Sequence, residues 1–261
     1  MTNSSEDFWL FGYGSLIWKP PPYFDQRVPG YIKGFVRRFW QVRRTSNIVD
    51  LVRMTDPNVE DHRGTPESPG RVVTLISRSF WEKLDDPQRL TEGDRVWGVA
   101  YHIIPSKVAE VKEYLDIREI NGYSIQYTPF HPADTTSPDL NCLVYIGLPN
   151  NPQFLGPLLP ETIAETINAS IGPSGENREY LLHLEDALEN LSPLSHDEHI
   201  SDLARRVRAL TAPDRNVSTS PQVDNTLRRV HSTEEQEEIE KADEEDVSRS
   251  DPTNAHLQTT S

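Results

Sequence analysis

The sequence predicts an α+β fold, on three observations. Strand-like segments crowd the first two-thirds of the chain, helical periodicity dominates the last third, and one helix-like segment is interposed between strands. That order is unlike the regular strand–helix alternation of a doubly wound parallel sheet. The aromatic residues mark where the folded part stops, since all 22 stand at or before Tyr180. From 213 to 261 there is no Phe, Trp or Tyr, and 12 acidic side chains face 5 basic ones. Such a segment cannot bury enough apolar surface to offset its chain entropy. The expected organisation is one domain over 8–212, large enough for a sizeable core, and a disordered acidic tail over 213–261. The acidic block 234–246 reads as solvated chain, with folding on a partner as the alternative.

The elements follow in order. Phe8, Trp9, Leu10 and Phe11 read as a strand feeding Gly12-Tyr13-Gly14-Ser15, a tight loop. Segments 71–77 (RVVTLIS) and 95–104 (RVWGVAYHII) are β-branched-rich strands, 123–131 alternates as a strand does, and 141–148 (NCLVYIGL) reads as a buried strand. Four helices are expected. Segment 106–117 places Val108, Val111 and Leu115 on one face, and 160–170 pairs Ile163 with Ile167. Segment 177–191 aligns Leu181, Leu184, Leu188 and Leu191, and 196–210 aligns Ile200, Leu203, Val207 and Leu210.

Composition excludes several functions. The net charge of −15 leaves no basic surplus for a phosphate backbone, so a nucleic-acid partner is not expected. Apolar runs such as 143–148 are too short to span a bilayer. Glu6 and Asp7 stand where a secretory signal would be basic or apolar, which points to a cytoplasmic or nucleocytoplasmic protein. Cys142 is the sole cysteine, so neither an internal disulfide nor a zinc site on paired cysteines is available. It sits in an apolar strand and reads as packed rather than nucleophilic. The eight histidines are scattered, and no metal site is expected from them.

Four segments could carry chemistry. In 11–16 (FGYGSL) two glycines spaced by one residue let successive backbone N–H groups converge on a carboxylate or phosphate, and Ser15 adds a hydroxyl; pattern alone favours an ordinary turn. It is not a dinucleotide fingerprint, because the third glycine and the following helix are missing and Pro20, Pro21 and Pro22 come soon after. In 116–123 (DIREINGY) Glu119 stands where a helix gives way to a strand, beside Ile117 and Ile120. A carboxylate near apolar groups has its pKa raised toward general-base values, the alternative being a surface pair with Arg118. Segment 61–66 (DHRGTP) is rich in donors and reads as a pocket lining or as a polar turn. Segment 172–175 (GPSG) reads as a carboxylate nest or as the entry to the next helix.

Taken in order, FGYGSLIW (11–18), RRFWQ (37–41), DHRGTPE (61–67), PGRVVTL (69–75), YLDIREINGY (114–123), VYIG (144–147) and GPSGENREYL (172–181) resemble the ChaC family of glutathione-specific γ-glutamylcyclotransferases over about 8–192. The resemblance implies a γ-glutamylcyclotransferase-like fold, a small mixed β-barrel with packed helices. It implies cleavage of glutathione to 5-oxoproline and cysteinylglycine, without cofactor and without an obligatory protein partner. The family's substrate-binding loop falls on Leu10, Phe11, Gly12, Tyr13, Gly14 and Ser15, and its catalytic glutamate on Glu119. Arg63, Tyr123 and Tyr145 are further pocket candidates; barrel packing is the alternative for the two tyrosines. One residue can act as base and then acid, so the chemistry needs neither a metal nor a nucleophilic cysteine. The chain departs from the family pattern in 42–60, which separates FWQ from DHRG and reads as a surface insertion, a lid or a retained intron. The alternatives to glutathione cleavage are cyclisation of other γ-glutamyl peptides or amines, and a catalytically silent binding domain.

Overall fold

The structure is a computed structural model that describes residues 7–42, 63–65, 67–89, 93–119, 123–148 and 150–212, the side chains of 114–119 and 123 excepted. The tail 213–261, and 43–60 of the expected insertion, lie outside the described residues.

At its centre five strands close a barrel in the order β1-β5-β2-β6-β7. They are β1 (Trp9–Gly12), β2 (Phe24–Lys33), β5 (Arg95–Ile103), β6 (Tyr123–Pro132) and β7 (Leu140–Gly147). Four of the pairings are antiparallel, and the seam between β1 and β7 is parallel, with Trp9 opposite Cys142 and Leu10 opposite Leu143. This is the mixed barrel expected from the family resemblance. Its inside is one apolar cluster containing Trp9, Phe11, Ile32, Val96, Ala100, Phe130, Cys142, Val144 and Ile146. Alternate residues of β1 and β7 contribute, as a period of two requires, while β2 and β6 each give one fully buried side chain, Ile32 and Phe130. Each fully buried side chain of this kind contributes roughly 1.5–3 kcal/mol relative to exposure.

Strands β3 (Phe35–Val42) and β4 (Arg71–Ser77) form a separate antiparallel pair. Phe35 and Leu75 from this pair join the barrel cluster. A second core contains the outward residues Leu10, Trp97, Val99, Tyr101, Leu143 and Tyr145 together with residues of the helices. The short helix α1 (Arg78–Trp81) follows β4, and α2 (Val108–Glu119) joins β5 to β6. Helices α3 (Pro160–Ala169), α4 (Asn177–Glu189) and α5 (Glu198–Thr211) close the fold, with Ile163, Ile167, Leu181, Leu184, Leu188, Ile200, Leu203 and Val207 buried as their spacing predicts. A two-residue-per-strand hairpin, β8 (Ile171–Gly172) and β9 (Gly175–Glu176), leads into α4.

The five expected strands and four long helices are all present, most with ends shifted by a residue or two. Strands β2 and β3 were not expected. The sequence of β2, FDQRVPGYIK, contains Pro29 and Gly30, which argue against a strand interior. Gly30 is nonetheless paired with Gly98, and a Cβ on either would stand within 3 Å of a Phe130 or Phe11 ring carbon. The two glycines make room for the aromatic rings that fill the barrel. In β3 all eight residues are buried, Arg37 and Arg38 included, so neither period two nor an apolar run is legible.

Polar groups tie β3 to its surroundings. Arg38 Nε donates to Asp86 Oδ2 at 2.8 Å, and Trp81 Nε1 donates to the same oxygen at 2.7 Å. Arg37 donates to Asp197 at 3.2 Å and to the Trp97 carbonyl. The Phe39 N–H donates to His199 Nε2 at 3.0 Å, so the proton of that imidazole sits on Nδ1, which donates to Gln88 Oε1 at 2.6 Å. Burial, with Arg38 and Arg37 nearby, holds His199 well below the ordinary histidine range, and it is neutral. It serves as a strand-to-helix tie.

Candidate active site

The parallel seam decides where the site falls. Because β1 and β7 run the same way, Gly12 at the end of one and Tyr145 to Gly147 at the end of the other emerge on one side of the barrel. The opposite strand β6 starts there, with Tyr123 paired to Gly147. Helix α2 ends at Glu119, four residues before that start. The topology thus brings the glycine loop, the end of α2 and the last turn of β7 to one rim. The intervening Ile120, Asn121 and Gly122 lie outside the described residues, as do Asp61 and His62.

The loop is packed into the wall of the fold, with Gly12, Gly14 and Ser15 buried. Leu10 is fully buried in the outer core, and Phe11 lies inside the barrel with its ring 5.7 Å from that of Phe130. Their side chains are thus committed to the core, and Tyr13 packs against both clusters. After Gly14 the chain makes a single 3-10 turn, Ser15–Ile17, closed by Ile17 N–H donating to the Gly14 carbonyl at 2.9 Å. Ser15 is buried at the head of this turn. A Cβ on Gly14 would stand 2.9 Å from Val73 Cγ2 and 3.0 Å from the Tyr180 hydroxyl, so β4 and α4 press directly on the loop.

The pocket candidates separate. Tyr145 is buried on the outer face of β7, opposite Ile125 of β6. Arg63 is buried and donates to the Glu176 carbonyl at 3.1 Å and to Glu179 Oε2 at 3.3 Å. Those contacts place it at the entry of α4, one turn before Tyr180. The surrounding residues form the turn that was the alternative reading of this segment, with Thr65 N–H donating to the Ser68 carbonyl at 3.0 Å and Ser68 N–H to Thr65 Oγ1 at 3.1 Å. Segment 172–175 is the hairpin turn into α4, and Gly175 takes a positive φ of 101° there. The burial of Cys142 pushes its thiol up to about 12, which removes it as a nucleophile near neutral pH. A shallow groove of about 250 Å³ beside the 3-10 turn is lined by Ile17, Trp18, Arg27, His183, Asp186 and Leu191 among others, and contains none of the expected site residues.

Sequence reasoning passed over three polar residues that frame this rim. Asn177, fully buried at the start of α4, accepts the Arg71 N–H at 2.6 Å and donates to the Arg71 carbonyl at 2.8 Å, completing the β4 edge as a strand would. Tyr180 presses its hydroxyl on Gly14. Gln41, at the end of β3, is buried against Gly147. All three stand in segments that carry the family resemblance, RRFWQ (37–41) and GPSGENREYL (172–181), which by themselves assign them no role.

A closed mixed barrel with a glycine loop at its parallel seam defines a class, the γ-glutamylcyclotransferase-like proteins, and comparison with known proteins narrows it. The family model of the ChaC-like proteins matches residues 8–210. A glutathione-specific γ-glutamylcyclotransferase of Schizosaccharomyces pombe is 41% identical over 202 residues, covering 77% of this chain and 92% of its own. The human glutathione-specific γ-glutamylcyclotransferase 1 is 38% identical over 202 residues, covering 76% of this chain and 78% of its own. A crystal structure titled as a γ-glutamyl cyclotransferase specific to glutathione from yeast superposes with a TM-score of 0.63 at 32% identity, over 78% of this chain and 99% of that one. The chain belongs to the ChaC-like family.

Proposed function

We infer that this protein is a glutathione-specific γ-glutamylcyclotransferase, a lyase that converts reduced glutathione to 5-oxoproline and cysteinylglycine. The observation that carries the reading is the conjunction of rim and relatives: a glycine loop at the parallel seam, in a chain about 40% identical over most of its length to proteins that bear that name. The substrate is a small molecule.

The reaction is intramolecular. The α-amine of the γ-glutamyl group attacks its own γ-carbonyl carbon, a five-membered ring closes, and the bond from that carbon to the cysteine nitrogen breaks. The first task is therefore to hold the folded-back conformer, which converts chain freedom into rate. The backbone amides of Gly12 to Ser15 suit this task, and they also suit the oxygen that becomes negative as the amine adds. The buried side chains of Leu10 and Phe11 fix the loop for it. Glu119 takes the proton that the attacking amine must lose and delivers a proton to the departing cysteine nitrogen. The proton balance closes on one carboxylate. Support for Glu119 is its position at the end of α2, at the rim where the loop emerges. Arg63, Tyr123 and Tyr145 complete the pocket in this proposal, Arg63 from the α4 side.

The catalytic domain is proposed as 8–212, with no part of the reaction assigned to 213–261. A cytoplasmic location agrees with a glutathione substrate and a single reduced cysteine. No helix among the described residues is long and apolar enough to cross a membrane. The test is a substrate panel on the full chain and on a chain truncated after Ala212: reduced glutathione, oxidised glutathione, a γ-glutamyl dipeptide and a γ-glutamyl amine. Release of 5-oxoproline from reduced glutathione at least tenfold faster than from the others, by both chains, is expected. Preference for a dipeptide or an amine would move the substrate assignment, and loss of activity with truncation would move the domain boundary.

A further inference from the structure

We propose that Gln41 is a substrate-anchoring residue of this site, holding the γ-glutamyl head group through its carboxamide. The proposal rests on the cyclotransferase reading above. Gln41 is 1% exposed, and among the described residues neither its Oε1 nor its Nε2 has a hydrogen-bond partner. Burying an unpaired amide costs stability, and such groups call for an explanation in function or solvent.

Three features aim this amide at the rim. The pairing of β3 with β4 slips between Arg38 and Gln41, and bulges of this kind re-aim side chains beside active sites. Gln41 is opposite Val72, so its side chain shares a face of the β3–β4 pair with Val72 and Thr74, the face turned to β7. Gly147, at the end of β7, stands against that face. A Cβ there would lie 2.2 Å from Thr74 Oγ1 and 3.1 Å from Gln41 Oε1, so glycine lets the seam strand come close to both. Gln41 thus stands against the end of the seam strand, where the rim begins, and the Arg37, Arg38 and His199 ties hold its strand.

The chemistry matches. A γ-glutamyl head presents an α-amine donor beside an α-carboxylate acceptor. A carboxamide presents an acceptor beside donors, so Oε1 receives the amine N–H and Nε2 donates to the carboxylate. Its neutrality matters. A carboxylate at this position would favour the ammonium form of the amine, which cannot attack, whereas an amide orients the amine without raising its pKa.

The experiment compares the wild type with Gln41→Leu and Gln41→Glu, using reduced glutathione, kcat and KM, the pH dependence of kcat, and thermal unfolding. Gln41→Leu is expected to unfold at or above the wild-type temperature, because it removes an unpaired buried amide. Its KM is expected to rise about tenfold or more with kcat little changed, as loss of ground-state anchoring requires. Gln41→Glu is expected to shift the acidic limb of kcat to higher pH, because the amine affected is that of the bound substrate. Unchanged KM in a stable Gln41→Leu protein overturns the proposal, and so does activity lost only in step with thermal stability. If Gln41→Leu does not fold, an unshifted pH profile in Gln41→Glu overturns it. Failure of the underlying reading shows differently, as no 5-oxoproline from the wild type, and removes the proposal with it.

Discussion

Gly14 and Gly147 show how single residues shape the rim by what they omit, and Cys142 how one is silenced by where it packs. Gly14 lets Val73 and the Tyr180 hydroxyl come within the distance a Cβ would occupy, and Gly147 does the same for Thr74 and Gln41. Both glycines were legible as members of family segments, but their reasons were not, because each depends on a neighbour distant in sequence. Cys142 was read from its apolar strand as packed, and it is: it lies inside the barrel with its thiol pushed up to about 12. The consequence is chemical silence. Iodoacetamide at pH 8 is expected to leave the native protein unlabelled over hours and to label it promptly in denaturant. Native labelling at the rate of a free thiol would mean that the barrel interior opens.

Among the elements, β3 does the most to position the site and was the least legible. Period-two reading fails on a strand buried along both faces, and two arginines disguise it further. Only after folding do Asp86, Asp197 and His199 supply their partners. The last three helices were legible because their apolar residues recur at helical spacing and are buried, as in α5 with Ile200, Leu203 and Val207. The tie between β3 and α5 makes a pH prediction. His199 is neutral when folded, with its pKa held below the ordinary 6.5, whereas the unfolded chain takes up a proton near that value. The unfolded state therefore binds more protons below pH 6.5, and stability falls as pH falls through that region. Thermal unfolding between pH 7.5 and 5 is expected to show this slope, and His199→Gln is expected to flatten it while lowering stability at pH 7.5. An equal slope in both proteins would assign the acid sensitivity elsewhere.

At the scale of the whole molecule, one topological fact organises the rest. The barrel closes through a parallel seam, and the two strand ends it aligns carry the glycine loop and the last residues of β7, Tyr145 to Gly147, to the same rim. Sequence order and periodicity gave α+β, and the seven ordered segments gave the barrel by resemblance. Neither could show the strand order, because β2 pairs with β5 and β6, both far along the chain. Glu119 reaches the rim as the end of the helix that links two barrel strands. The central claim is that this rim cyclises the γ-glutamyl group of glutathione with Glu119 moving the proton. The most direct test is release of 5-oxoproline and cysteinylglycine from reduced glutathione, followed by mass spectrometry for the wild type and for a folded Glu119→Gln protein. The account predicts stoichiometric products from the wild type and a rate lower by about 10²–10⁴ in the variant. Equal rates from the two proteins would contradict it.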